Sequence, residues 1–358
     1  MNNKTEKLKL EDFGYNTFFE SNRKIMELTE YSIARVVAER RGAYMVKNLS
    51  GEYLTKITGK QRFNATKRED FPAVGDWVSI TELDKENATI HKILPRKTIL
   101  RKKYSDKQEI QVIAANVDIA FIVESVDRDF SLNRFERYCM LVNEGGVKPT
   151  IVLNKVDLIS ETELKMKLNE IKNRFNDIDV ISTSTITDQG LDDLANYIVS
   201  GKTYCFLGSS GVGKSSLINK LLRKDTIKIG GISGYSNRGK HTTTGRDMYF
   251  LKNGGIVIDN PGMREVGMAD VSGDIGDMFE ELMTLSEKCK YADCTHMHEP
   301  GCAVLEAVKD KKLDENKYSN YIKLKKETDF FELTKLEKRR GNRKFGKFVK
   351  NSLKQSKK

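Results

Sequence analysis

Between residues 31 and 94, apolar and polar positions alternate with a period of two, in short runs broken by Gly42, Gly51 and the stretch from Asp84 to Asn87. That period turns one face of each run toward a core and the other toward water. It predicts strands at 32–39, 43–48, 52–58, 76–83 and 88–94. Five short strands in so little chain suit a small barrel of the OB type, although an SH3-like barrel would read almost the same. Gly75-Asp76-Trp77-Val78 opens one strand with the only tryptophan, which reads as core rather than as a base-stacking platform. Residues 1–28 are polar and mixed and predict partial order at best. Arg96 to Lys107 reads as a basic connector.

Beyond this connector the pattern changes. Apolar runs at 117–123, 149–153, 180–183 and 203–207 read as strands, and helical periodicity appears at 132–142, 161–175 and 191–198. Runs at 248–251 and 256–259 flank Asn253-Gly254-Gly255, a tight-turn signal, and predict a hairpin. Strands alternating with helices imply a parallel-rich α/β sheet covered on both faces. From Asp277 onward the chain reads helical, and no internal repeat is visible. The expected fold class is therefore multidomain, with an N-terminal β-barrel, a central α/β domain and a C-terminal helical domain. The expected boundaries are an extension at 1–30, the barrel at 31–100, the α/β domain at 110–270 and the helical domain at 271–358.

Chemistry enters through two short motifs. Gly208-Ser209-Ser210-Gly211-Val212-Gly213-Lys214-Ser215, with Ser216 beside it as a further nucleotide contact, follows an apolar strand and precedes the helical segment Leu217 to Leu222. This is the context a phosphate-binding loop requires: glycines let backbone N–H groups wrap a phosphate, and the helix N-terminus adds a favourable dipole. Lys214 is expected to reach the β- and γ-phosphates, and Ser215 to ligate Mg²⁺. Asn154-Lys155-Val156-Asp157 lies upstream, also at a strand end. The Asp157 carboxylate can accept two hydrogen bonds from the N1 and N2 donors of guanine, a donor pair that adenine lacks. Asn154 can contact the other base edge, the Lys155 stem can lie along the base, and Ser182, Thr183 and Ser184 are expected near the guanine O6. An ordinary GTPase carries the phosphate loop first and the tetrad later. Here the order is reversed, so the central domain reads as a circularly permuted P-loop GTPase.

Asp259-Asn260-Pro261-Gly262 reads as the Asp-x-x-Gly of a second switch, with Asp259 holding Mg²⁺ and the Gly262 N–H meeting the γ-phosphate. The Gly- and Thr-rich stretch from Gly230 to Thr244 suits the first switch, and Thr243 is the expected Mg²⁺ ligand within it. Met263 stands where a classical GTPase carries a water-orienting Gln, and Met cannot orient water. Another group must act, and His241, in the presumed switch, is the candidate for positioning the attacking water.

The cysteines add a metal site. Cys289-x4-Cys294-x-His296-x5-Cys302 offers three thiolates and an imidazole, with His298 a rival nitrogen ligand. A closed set of this softness suits one structural Zn²⁺ per chain with no open position for catalysis. The odd total of five cysteines argues for a reduced, cytoplasmic protein over a disulfide framework. No apolar run approaches the length of a membrane helix, and the N-terminus lacks the apolar core of a secretory signal. The formal net charge is +11. The segment from Lys335 to Lys358 holds eleven Lys/Arg against Glu337 alone, so almost all the excess sits there. Such a tail favours nucleic acid as partner.

Together, and in this order, these motifs resemble the small-ribosomal-subunit-dependent GTPase A family (RsgA, also called YjeQ). The resemblance covers nearly the whole chain, including Val74-Gly75-Asp76-Trp77-Val78, Arg238-Gly239-Lys240-His241-Thr242-Thr243 and Asp259-Asn260-Pro261-Gly262; Asn260 stands where many members carry Thr. It implies an OB-fold, a permuted GTPase domain and a zinc domain with His296 as the nitrogen ligand. It also implies GTP hydrolysis with Mg²⁺, stimulated by the small ribosomal subunit, and a role in that subunit's late maturation. The family's proposed catalytic histidine falls on His241. The expected partners are the small subunit with its rRNA and GTP/GDP, without a membrane. Nothing in the sequence demands more than a monomer. The competing reading is a GTP-gated module acting on another RNA, and a P-loop kinase or ATPase would have no use for Asn154-Lys155-x-Asp157.

Overall fold

The computed structural model of the chain describes residues 8–40, 42–103, 110–127, 130–223, 246–260 and 277–332. Two units, Met1–Asp270 and Val271–Lys358, divide the chain. In the first, α1 (Thr17–Ile25) precedes β1 (Ser32–Arg40), β2 (Ala43–Lys47) and β3 (Glu52–Ile57). Then come α2 (Gly59–Asn64), β4 (Trp77–Glu82) and β5 (Asn87–Ile93). β1 pairs with β2 and β4, β2 with β3, and β5 with both β3 and β4, so the strands close into a ring. Only β3 and β5 run parallel. This crossover makes the barrel an OB-type Greek key and not a plain meander. The inward positions of the period-two pattern, Val36, Val46, Val78, Ile80 and Ile90, form its sealed core.

Three expectations are corrected. Residues 8–28 are packed, not partly ordered: Asn16 caps α1 by accepting from Phe18 N at 3.0 Å, and Phe13, Tyr15 and Phe19 are buried with Trp77 and Leu94. The Tyr15 and Phe19 rings lie 4.8 and 5.9 Å from the Trp77 ring, which confirms Trp77 as core. Three aromatics scattered among polar residues make no period, which is why the sequence hid them. The basic connector is partly strand: β6 (Ile99–Lys103) pairs antiparallel with β7 (Ile110–Ala115) as a separate two-stranded sheet. Helix α2 was not expected, because six residues are too few to display a helical period.

The α/β region follows as β8 (Ile119–Ser125), α3 (Leu132–Glu144), β9 (Lys148–Asn154), α4 (Glu161–Arg174) and β10 (Val180–Thr183). It continues with α5 (Leu191–Tyr197), β11 (Thr203–Leu207), α6 (Lys214–Leu222), β12 (Asp247–Phe250) and β13 (Ile256–Asp259). The strand order β10-β9-β8-β11-β13-β12 puts β11, which leads into the phosphate loop, among parallel neighbours. β12 then pairs antiparallel with β1 at Asp247 and Ala38, so barrel and α/β sheet are continuous. Ion pairs Arg40–Asp247 (2.6 Å) and Glu39–Arg246 (2.9 Å) flank this join.

Arg35 fixes the same junction from inside. It is 1% exposed, and its guanidinium donates to the carbonyls of Phe13, Gly75 and Asn116 and to Thr203 Oγ1. Burial pulls its pKa down to about 10, against the opposing pull of Asp118 and Asp76. Asp76 of the Gly-Asp-Trp motif is likewise structural. It is fully buried and takes a two-pronged bond from Arg96 at 2.7 and 2.8 Å.

The second unit holds α7 (Glu280–Ser286), α8 (Ala303–Lys309) and α9 (Glu315–Glu332). Phe279, Leu282, Val304, Tyr321 and Leu324 are buried in it.

Candidate nucleotide site and metal centre

In a parallel sheet, ligands bind beyond the carboxyl ends of the strands. The register carries the ends of β8, β9, β10, β11 and β13 to one rim: Ser125 opposite Asn154, Asn154 opposite Thr183, Leu207 opposite Ile122, and Phe206 opposite Asp259. The tetrad, the Ser182–Ser184 stretch, the phosphate loop and Asp259 thus share an edge, although their sequence order is permuted.

The loop's glycines are dictated by left-handed backbone at all three positions and by space at two. Gly208, Gly211 and Gly213 have φ of +143°, +87° and +102°. A Cβ at Gly208 would lie 2.2 Å from Val123 O, and one at Gly213 2.2 Å from Asn154 Nδ2. Val212 is buried beneath the loop, and Ser215 and Ser216 lie half-buried in the first turn of α6. The Lys214 ammonium donates to the carbonyls of Gly208 and Ser209 at 2.8 and 2.7 Å. Burial lowers its pKa to about 8 against the opposing pull of Asp259. Asp259 is 3% exposed, and burial raises its pKa to about 6. Its Oδ1 is buried without a hydrogen-bond partner among the described residues. An orphaned carboxylate oxygen beside the phosphate loop is the donor a Mg²⁺ site needs.

The tetrad divides its labour. Asn154 is fully buried; its Nδ2 donates to Val212 O at 2.8 Å and its Oδ1 accepts from Thr183 Oγ1 at 3.0 Å. It therefore ties the tetrad to the phosphate loop. Lys155 sits at φ +61°, with its ammonium 3.2 Å from Asp127 Oδ2. Val156 is buried. The exposed Asp157 carboxylate accepts from Ser184 Oγ at 2.5 Å, which leaves its other oxygen toward solvent. Ser184 is thus a holder of Asp157. Gly190 makes room for this loop, since a Cβ there would lie 1.8 Å from Ser182 O. Asp127 was missed by the sequence reading; only its place just after a strand end could have pointed to it. Asn260 donates from Nδ2 to Cys205 Sγ at 3.0 Å, so it braces β11. His241, Thr243, Gly262 and Met263 lie outside the described residues.

In the second unit, the candidate ligand atoms of Cys289, Cys294, His296 and Cys302 all lie within 4.8 Å of one another. Cys289 Sγ is 3.8 Å from Cys302 Sγ, and His296 Nδ1 is 3.6 and 3.5 Å from these sulfurs. A tetrahedral ion about 2.3 Å from sulfur and about 2.0 Å from nitrogen has edges of about 3.8 and about 3.5 Å, so the set fits. His296 reaches it through a left-handed backbone, φ +63°, and Tyr318 Oη of α9 donates to its carbonyl at 2.8 Å. His298 is not in the set. The Glu299 carboxylate instead gathers the loop, accepting from Thr295 N, Met297 N and His298 N and from the Thr295 hydroxyl. Those bonds, the Thr295 hydroxyl first, hold its pKa far below the usual carboxylate range. No helix among the described residues is long and apolar enough to cross a membrane.

Comparison with known proteins adds relatives to this geometry. Residues 93–269 match the model of the RsgA GTPase family. The chain is 39% identical, over 88% of its length and 89% of the relative's, to small ribosomal subunit biogenesis GTPase RsgA 2 of Lactiplantibacillus plantarum. It is 38% identical over 98% of its length and 97% of the relative's to RsgA 1 of Bacteroides thetaiotaomicron. Among solved structures it is similar to YjeQ from Thermotoga maritima, with TM-score 0.60 and 28% identity over 83% of this chain and 98% of that one. It is also similar to YloQ, a circularly permuted GTPase, with TM-score 0.59 and 25% identity over 84% and 95% of the two chains.

Proposed function

The chain belongs to the RsgA GTPase family, and on that premise we propose that it hydrolyses GTP on the small ribosomal subunit to drive or check a late step in that subunit's maturation. The observation that carries the reading is the shared rim: a base-reading tetrad, a phosphate loop and an orphaned carboxylate meet at one sheet edge. Asp157, held by Ser184, selects guanine. The phosphate loop from Gly208 to Ser216 wraps the phosphates, and Lys214 exchanges the loop carbonyls for phosphate oxygens. Ser215 and Asp259, with Thr243, would hold Mg²⁺, which neutralises charge on the β- and γ-phosphates. His241 positions a water whose oxygen bonds to the γ-phosphorus as the bond to the β-bridging oxygen breaks, leaving GDP and phosphate.

Zn²⁺ is the ion that the Cys3His set suits best, as a structural centre. The working division is barrel at 31–100, GTPase domain at 110–270 and metal domain at 271–358, in a cytoplasmic monomer. The deciding measurement is GTP turnover by the chain alone, with purified small subunits and with matched free RNA. Strong stimulation by the subunit alone is expected; equal stimulation by any RNA would favour a GTP-gated module for another RNA. In the subunit-stimulated assay His241→Ala should lose the stimulation, and unchanged stimulated turnover would remove His241 from its role.

A further inference from the structure

Helix α2 lies in the barrel's β3–β4 crossover, yet none of its residues is buried. Thr58 caps it, accepting from Gln61 N at 3.1 Å. A six-residue helix has little stability of its own. Phe63 is 89% exposed on it. Residues 56–68 contain no Asp or Glu and carry Lys56, Lys60, Arg62, Lys67 and Arg68, all exposed. Lys56, Lys60 and Arg62 form no ion pair among the described residues. The fold thus presents a bare aromatic ring within a run of cations.

A cavity of about 220 Å³ lies beside this run, lined by Glu39, Tyr44, Arg68, Phe71 and Gln111 among others. Arg68 belongs to both features. The run that carries α2 therefore continues onto the cavity wall.

We propose that α2 and this cavity form a docking site for single-stranded RNA, with Phe63 stacking on one base, the cavity receiving another and the flanking cations pairing with phosphates. Charge complementarity commits the occupant: an acid-free basic segment suits a polyanion, and an exposed ring among cations is how sequence-tolerant strand binders combine stacking with phosphate contacts. A duplex keeps its base faces stacked and offers none to Phe63. Insertion into a membrane needs a longer apolar face than one ring on a six-residue helix. The proposal rests on the ribosomal reading only for which RNA occupies the site.

The test uses the full chain and fluorescence anisotropy with a labelled twelve-nucleotide single strand, the matching duplex and anionic phosphatidylglycerol vesicles, across a salt series. Because α2 buries nothing, Phe63→Ala, Lys60→Ala and Arg62→Ala should keep the wild-type melting temperature and basal GTPase rate. Phe63→Ala should weaken single-strand binding by about 5- to 100-fold and leave the salt slope unchanged. Lys60→Ala and Arg62→Ala should each flatten that slope by about 1. Unchanged single-strand affinity in Phe63→Ala, or a loss confined to vesicles, overturns the site. If subunits stimulate hydrolysis while Phe63→Ala binds the strand like wild type, this site falls and the ribosomal reading stands. If Phe63→Ala loses the strand while subunits never stimulate, the reverse holds.

Discussion

Asn154 Nδ2 donates to Val212 O at 2.8 Å, across 58 residues of sequence. The bond joins the strand end that carries the Asn154–Asp157 tetrad to the glycine-rich loop before α6. Asn154→Ala leaves the Val212 carbonyl and the Thr183 hydroxyl short of a partner in a dry site, a cost of about 1–3 kcal/mol. Because the bond acts through the loop, affinity for inorganic pyrophosphate should fall together with affinity for GDP. Calorimetric titration of both ligands checks this. Loss for GDP with intact pyrophosphate binding would return Asn154 to a contact with the base alone.

Lys214 gives the nucleotide-free protein a definite pH response. Its folded pKa is about 8, below the 10.5 of the free side chain. The folded state thus binds fewer protons than the unfolded state between these values, and stability rises with pH through that window. Below pH 8 the buried charge is a standing cost. Lys214→Met should therefore melt higher than wild type at pH 7 without nucleotide, lose that advantage as pH climbs past 8, and bind no GTP. Thermal melts of both proteins across the window test the sign.

Cys294→Ser removes one of four closely set ligands. Structural Zn²⁺ contributes on the order of 10 kcal/mol to the folding of such a unit, so the variant should lose its metal and expose residues 277–332 to protease. Metal content and limited proteolysis provide the readouts. Retained metal at one ion per chain would mean that another ligand completes the set.

Phe19 is 2% exposed and packs on Trp77. Phe19→Ala should cost about 3–5 kcal/mol and lower the barrel's denaturation midpoint. If the N-terminal segment were only a loose extension, the midpoint would not move.

The phosphate loop, the tetrad, the Cys/His set and the barrel strands were legible because each is written locally. A loop that must wrap phosphate needs glycines at fixed spacing, and a half-buried strand must alternate. The place of Asp157 at the end of the tetrad was legible in the same way; its bond from Ser184 was half legible, since the strand end near 182–184 stood out but the bond did not. Elements without a period were missed. Phe13, Tyr15 and Phe19 gain meaning only against Trp77, and the cations of β6 masked a strand that pairs with β7.

By itself the sequence determined which chemistry the chain carries, since that chemistry resides in residue types at short spacing. Tertiary structure decided what those groups touch. It tied Asn154 to Val212 O, and it continued the barrel into the α/β sheet through β1 and β12. It also sealed Arg35 among carbonyls from three separate stretches and left Phe63 bare. The physical reason is common to all of these. A buried donor must find an acceptor wherever the fold brings one, and a side chain is covered only if distant chain happens to pass over it.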